Sequence, residues 1–235
     1  MVRKAFEDII AEEYGGIFPG LEHTQNKIMN IMHDKTRIFC ILAYLTGGRI
    51  SEVCLYKTPK LLKKITTLKN GKVKESFVPN PNYTPKPIHG IRPKDLRIES
   101  DFGKKFLIIH MRNLKNGEVH YKTVTAPIDH EGIIIKELMR YIQNIPEDKT
   151  IIPYERTWVF RMFKKYAVKK FYYPHFLRAL RTTHLFVIYD FDSKQVKDFM
   201  GWSDERPIKK YEIFKTTIGF KRKMLIEKTP KYVKE

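Results

Sequence analysis

Five side chains stand out for chemistry before any element is assigned. Arg49 lies in TGGRISE, behind two glycines that let the backbone turn sharply. Lys115 precedes an Asn-Gly pair, and a lysine beside a hairpin tip can swing in and out of a site. His175 and Arg178 follow Pro174 and are three apart, so they share one helix face. Tyr211 follows GWSDERP. Each has an ordinary reading. Arg49 and Glu52, at i and i+3, would make a surface ion pair worth well under ~1 kcal/mol. His175 would cap or pack. Lys115 is one of 45 lysines and arginines, and Tyr211 is one of 13 tyrosines without a local mark. No GxGxxG, Walker or paired-carboxylate motif appears. His110, His120, His130 and His184 lack metal-ligand spacing and read as strand and core positions. Nucleotide hydrolysis and metal-dependent nuclease chemistry therefore have little support, and no metal or cofactor is expected. What remains is chemistry run by cations, an imidazole and a phenol.

The elements that must position these groups belong to one basic globular body. The 235 residues allow one sizeable core, not three ordinary domains. Lys and Arg exceed Asp and Glu by 45 − 26 = +19. Self-repulsion of that size works against compaction, and a polyanion is its usual reason, nucleic acid first. With 42% hydrophobic and 13% aromatic residues the chain is no disordered polycation. Cys40 and Cys54 cannot form a disulfide framework and lack CxxC spacing, which suits a reducing compartment. No apolar run approaches the roughly 18 residues of a membrane span. MVRKAFEDII lacks the apolar core of a secretory signal. A cytoplasmic location follows as the expectation.

Periodicity predicts helices over 1–14, over most of 22–45, and again through RISEVCLY. Residues 57–94 are basic and proline-punctuated. They suggest a hairpin between Leu61 and Val78, either a linker or a strap against phosphates carrying Lys63, Lys64, Lys69, Lys72 and Lys74. KFLIIHMRN and EVHYKTVTA, joined at Asn116-Gly117, predict a second hairpin with Val119, Tyr121, Thr123 and Thr125 on one face. Helices are expected over 131–144, 155–169 (with Trp158 in the core) and from Pro174 to about Tyr189. A short one capped by Ser193 would end at Gly201, and a further one opened by Pro207 would contain Tyr211. The fold class is α+β, mainly α-helical with a small antiparallel sheet.

Taken in order, these segments resemble the tyrosine recombinase, or phage-type integrase, family. LAYLTGGRISEVCLY resembles its first arginine box, and LKNGEVHYKTVTAPI the hairpin that carries its lysine. HFLRALRTTHL resembles the His-x-Leu-Arg box. FMGWSDERPIKKYEIF resembles the Leu-Gly-His-Ser box that leads, nine residues on, to the tyrosine. The resemblance spans about Lys35 to Phe214. It implies the DNA breaking-rejoining fold, with Arg49, Lys115, His175, Arg178 and Trp202 as the active site, Tyr211 as nucleophile and Glu52 in support. Trp202 departs from the commoner histidine; some members carry tryptophan there, keeping a ring N–H donor without titration. The 57–94 excursion is longer than usual, so Lys122 is the alternative to Lys115.

The implied reaction is a metal- and ATP-independent transesterification through a 3′-phosphotyrosine. Two guanidinium forks hold the non-bridging oxygens, whose charge grows in the transition state. His175 assists proton transfer from a phenol with an ordinary pKa near ~10. Lys115 protonates the leaving 5′ oxygen. The implied partner is double-stranded DNA, with four protomers on two duplexes and a monomer or dimer when free. The implied organisation is a short helical segment over 1–30, a catalytic domain over 31–215 and a basic tail over 216–235 that packs in trans. A family clamp domain needs on the order of 80–100 residues, and about 30 precede the resemblance here. The chain is then a minimal recombinase, a fragment, or one whose 57–94 excursion replaces the clamp. A type IB topoisomerase shares the chemistry. A catalytically silent DNA-binding protein would share the fold.

Overall fold

The computed structural model describes residues 6–15, 18–58, 60–67, 73–81, 83, 86–115 and 118–203. At its centre is α3 (Asp34–Thr46), buried continuously from Ile38 to Thr46. A helix apolar all round needs neighbours on every side. α8 (Pro174–Val187) packs across it, and α5 (Ile128–Ile142) and α6 (Arg156–Tyr166) flank it. α1 (Phe6–Tyr14) adds Phe6, Ile9 and Ile10 to the same core. The stretch expected as mostly helical over 22–45 is two helices, α2 (Leu21–Met29) and α3. Asn30 ends the first, and His33 caps the second by accepting from Thr36 N at 3.3 Å.

The strands of both predicted hairpins pair. β1 (Leu61–Thr67) pairs antiparallel with β2 (Val73–Pro79) as a separate two-stranded sheet. β4 (Lys104–Lys115) pairs with β5 (Glu118–Pro127). β3 (Leu96–Asp101) adds an unforeseen third strand beside β4. Its sequence LRIESD buries only Leu96, so no apolar alternation announced it. Register decides which face of β5 matters. Leu107 pairs with Ala126, Ile109 with Val124 and Met111 with Lys122, and this is the buried face. Tyr121, Thr123 and Thr125 share the opposite face and are exposed.

The remaining helices are α4 (Ile50–Val53), α7 (Val168–Phe171) and α9 (Ser193–Met200). The cap of α9 is Asp192, not Ser193. Asp192 has the extended backbone a cap needs (φ −77°, ψ 172°) and accepts from Gln195 N at 2.8 Å, while the Gln195 side chain accepts its N–H in return. His184 is a core residue, bonded to Tyr44 Oη (2.7 Å) and the Pro19 carbonyl (2.8 Å). His110 and His120 are exposed strand residues. His130 is neither strand nor core: it is exposed near the start of α5. Trp158 is half-buried and stacks on Tyr154 at 3.7 Å. The fold is thus mainly helical with two small antiparallel sheets. Among the described residues, no helix is long and apolar enough to cross a membrane.

Candidate active site

Two glycine turns build the site. α3 ends in Gly47, which adopts the left-handed conformation (φ 58°, ψ 20°) and donates its N–H to Tyr44 O. A side chain here would be strained, and its Cβ would lie 2.6 Å from Met200 Sδ. Two residues later Arg49 stands in extended conformation at the start of α4. α9 ends the same way, with Gly201 at φ 66° and ψ 37°, and delivers Trp202. The two helix ends meet, because Gly47 leaves just enough room for Met200.

Glu52 is where the cations converge. Its carboxylate is fully buried, with 0% exposure, whereas Arg49 is 45% exposed. One carboxylate oxygen accepts from Arg49 Nη1 (2.8 Å) and Leu114 N (3.2 Å). The other accepts from Arg49 N (2.7 Å) and lies 3.8 Å from Arg178 Nη1. Burial alone would raise the carboxyl pKa. Arg178, the Arg49 N–H and guanidinium, and Lys122 outweigh burial and hold it below the ordinary value. A surface ion pair is therefore the wrong description of Arg49 and Glu52. The acid is interior, and it anchors an arginine that still faces solvent.

Arg178 stands behind Arg49 and is buried. It donates to the Gly47 carbonyl and, at 3.5 Å, to the Met200 carbonyl, tying together the two glycine turns. Its guanidinium carbon is 5.4 Å from the Trp202 ring centroid, within cation–π range. His175, three residues earlier on α8, is exposed. It lines a cleft of about 750 Å³ together with Arg49, Ser51, Arg156, Lys164 and Tyr173. The helix thus turns one residue to the cleft and the other to the interior. Arg49, Arg156, Lys164 and His175 give the cleft a basic side, facing an apolar one that includes Ile50, Phe160 and Val168.

The structure brings Arg49, Glu52, Arg178 and Trp202 into one cluster, with His175 on its cleft. Lys115 ends β4 opposite Glu118, one residue after Leu114, whose carbonyl accepts from Arg49 Nη1 at 3.3 Å. The lysine strand end is therefore next to the arginine. Tyr211 lies outside the described residues, as do Lys69 and Lys72. Lys64 is exposed on β1, Lys63 also belongs to β1, and Lys74 belongs to β2.

Two of the residues that position the site, Arg112 and Asn113, escaped the sequence reading, and a third, Lys122, entered it only as the alternative to Lys115. Arg112 is buried on β4 and donates to the Ser51 carbonyl (2.6 Å), the Ile88 carbonyl (2.9 Å), and the His89 and Cys54 carbonyls. It fastens α4 and the 88–89 loop to the sheet, and burial pushes its pKa down to about 10. Asn113 donates to Gly201 O at 2.9 Å. Lys122 Nζ donates to Thr46 O (3.1 Å) and Phe199 O (3.2 Å). All three act on backbone carbonyls, which leave no mark in a sequence. Among the described residues, no three or more His, Cys, Asp and Glu side chains gather as a metal-binding group.

No family model matches this chain, and no curated protein matches it. Among solved structures, the chain is similar to the XerH site-specific recombinase bound to palindromic difH substrate in a post-cleavage complex. There the TM-score is 0.49 and the identity 12%, over 92% of this chain and 56% of that one. For XerH bound to difH in a pre-cleavage complex, the TM-score is 0.47 and the identity 14%, over 91% and 51%. The chain spans just over half the length of those solved chains.

Proposed function

We propose that this protein is a site-specific DNA recombinase of the tyrosine type. One observation carries the reading. Arg49 and Arg178, drawn from separate sequence boxes, meet at the buried Glu52 carboxylate, Trp202 lies against the Arg178 guanidinium, and His175 shares the cleft that Arg49 lines. The ordered boxes of the tyrosine recombinase resemblance support it, and so does a charge of +19.

In the proposed reaction the Tyr211 oxygen attacks a DNA phosphorus while its proton passes toward His175. The bond from phosphorus to the 5′ oxygen breaks, and Lys115 gives that oxygen a proton. A 3′-phosphotyrosine remains, and a 5′-hydroxyl of the same or a partner strand reverses the step. Arg49 holds one non-bridging oxygen from the cleft. Arg178 is the second fork, exchanging its long bond to the Met200 carbonyl for a phosphate oxygen. Trp202 donates its indole N–H. Four protomers on two duplexes, linked by residues 216–235 in trans, complete the proposal.

The test is a nicked duplex used as a suicide substrate in EDTA, with wild type and Tyr211→Phe compared on a denaturing gel. A metal-independent covalent adduct, absent in the variant, is the expected result. Tight binding without an adduct on a pooled library of DNA sites would replace this reading with a silent DNA-binding protein. An adduct that reseals without exchanging strands would replace it with a type IB topoisomerase.

A further inference from the structure

Lys122 occupies an unusual place for a lysine. It lies on the buried face of β5, opposite Met111, with Val124 and Ala126 further along the same face. Its ammonium group reaches the last turns of two helices that are far apart in sequence. The Thr46 carbonyl at 3.1 Å belongs to the end of α3, and the Phe199 carbonyl at 3.2 Å belongs to the end of α9. The last carbonyls of a helix have no partner within it, and they carry the negative end of its dipole. One cation satisfies both ends. The left-handed glycine follows Thr46 directly, and follows Phe199 by two residues. Those glycines launch Arg49 and Trp202.

We infer that Lys122 is a positioning residue: its ammonium clamps the ends of α3 and α9 together and thereby sets Arg49 and Trp202 relative to each other. The inference rests on the recombinase reading for its consequence in catalysis, but not for its geometry. Arg178 bridges the same pair of turns from α8, at the Gly47 and Met200 carbonyls, and Asn113 holds Gly201 from β4. Of the three, only Lys122 has a charge that can be switched near neutral pH. Burial is the main cause, and Arg178 adds repulsion. Glu52 opposes both, Arg49 and Arg181 reinforce them, and the balance pushes the ammonium pKa down to about 7. Elsewhere around the ammonium, α3 and α9 present the Thr46 and Phe199 carbonyls. Like Arg178 and Trp202, Lys122 stands behind the residues that line the cleft.

Two readouts test this clamp. The first uses the full chain carrying Trp158→Phe, which leaves Trp202 as the single tryptophan. Trp202 emission and acrylamide quenching are followed from pH 5.5 to 9. The expected result is a transition centred near neutral pH that disappears in Lys122→Met and persists in His175→Gln. A flat profile, or a transition that survives Lys122→Met, overturns the clamp. This arm needs no DNA, so it decides even where the recombinase reading fails. Should Lys122→Met not fold, Lys122→Gln serves in its place, and a flat pH profile of the Trp158→Phe protein with Lys122 intact still overturns the clamp. The second readout is the single-turnover rate of adduct formation. Lys122→Met should lower it roughly 10- to 100-fold, with duplex affinity within about threefold of wild type. An unchanged rate in a protein that forms the adduct overturns the catalytic consequence. An adduct in neither protein counts against the recombinase reading alone.

Discussion

Glu52 grips Arg49 twice, accepting its backbone N–H at 2.7 Å and its guanidinium at 2.8 Å. The carboxylate is wholly buried and the arginine half in water. A cation aimed at a solvent cleft is thus held from behind by an anion that water cannot reach. The backbone bond also stops the short α4 from fraying at its first turn. The orientation of Arg49 is then fixed before any ligand arrives, which is the preorganisation that stabilising a developing charge requires.

Replacing Glu52 by glutamine should therefore be costly. It leaves Arg178 beside a neutral amide and breaks a buried pair, which costs about 3–5 kcal/mol. The predicted loss in urea denaturation at pH 7 is of that size. The sign with pH follows from the lowered carboxyl pKa. Glu52 contributes stability above the ordinary carboxylate value of 4.5, and that stability is lost as pH falls through the lower folded value. The gap between wild type and Glu52→Gln should close in acid.

Gly47→Ala should damage stability and site together. The position has φ 58°, and the added methyl would lie 2.6 Å from Met200 Sδ. Left-handed strain alone costs roughly 1–2 kcal/mol. A loss of more than about 1 kcal/mol in chemical denaturation, with slower adduct formation, is expected. Gly15 also has φ 58° but meets nothing within 4 Å, so Gly15→Ala pays for strain alone and is the control.

Lys122 should leave a signature in stability as well as geometry. Its folded pKa of about 7 lies below the ordinary 10.5, so the unfolded chain binds more protons between those values. Its contribution to wild-type stability therefore rises from pH 7 toward pH 10.5. Lys122→Met lacks that rise. Denaturation of both proteins at pH 6.5, 8 and 9.5 should show the wild type gaining steadily on the variant.

Duplex binding should weaken steeply with salt. Phosphate contacts release counterions, and log K falls by about 0.9 per contact for each tenfold rise in salt. If the β1–β2 hairpin contributes contacts, neutralising Lys64 and Lys74 together should lower that slope by about 1.8. An unchanged slope would remove the hairpin from the DNA footprint.

Much was legible in the sequence because it is local. Asn116-Gly117 between alternating strands specifies a hairpin whatever surrounds it. Pro174 and the apolar run behind it specify α8, and the glycine pair before Arg49 specifies a turn. Other features were settled only by folding. β3 carries too little apolar alternation to be seen, and α2 and α3 divide at a His33 cap that reads as an ordinary helical residue. The depth of Glu52 depends on α8 and β4 closing over it, so the same i, i+3 spacing would have made a surface pair on another helix. Lys122 and Arg112 are the clearest cases. As sequence, Arg112 is one more cation among 45, and Lys122 stands out only as the alternative to Lys115. Strand register turns Lys122 inward, and helices from distant parts of the chain end against it. Their partners are backbone carbonyls, which every residue possesses, so only the tertiary structure could pick them out.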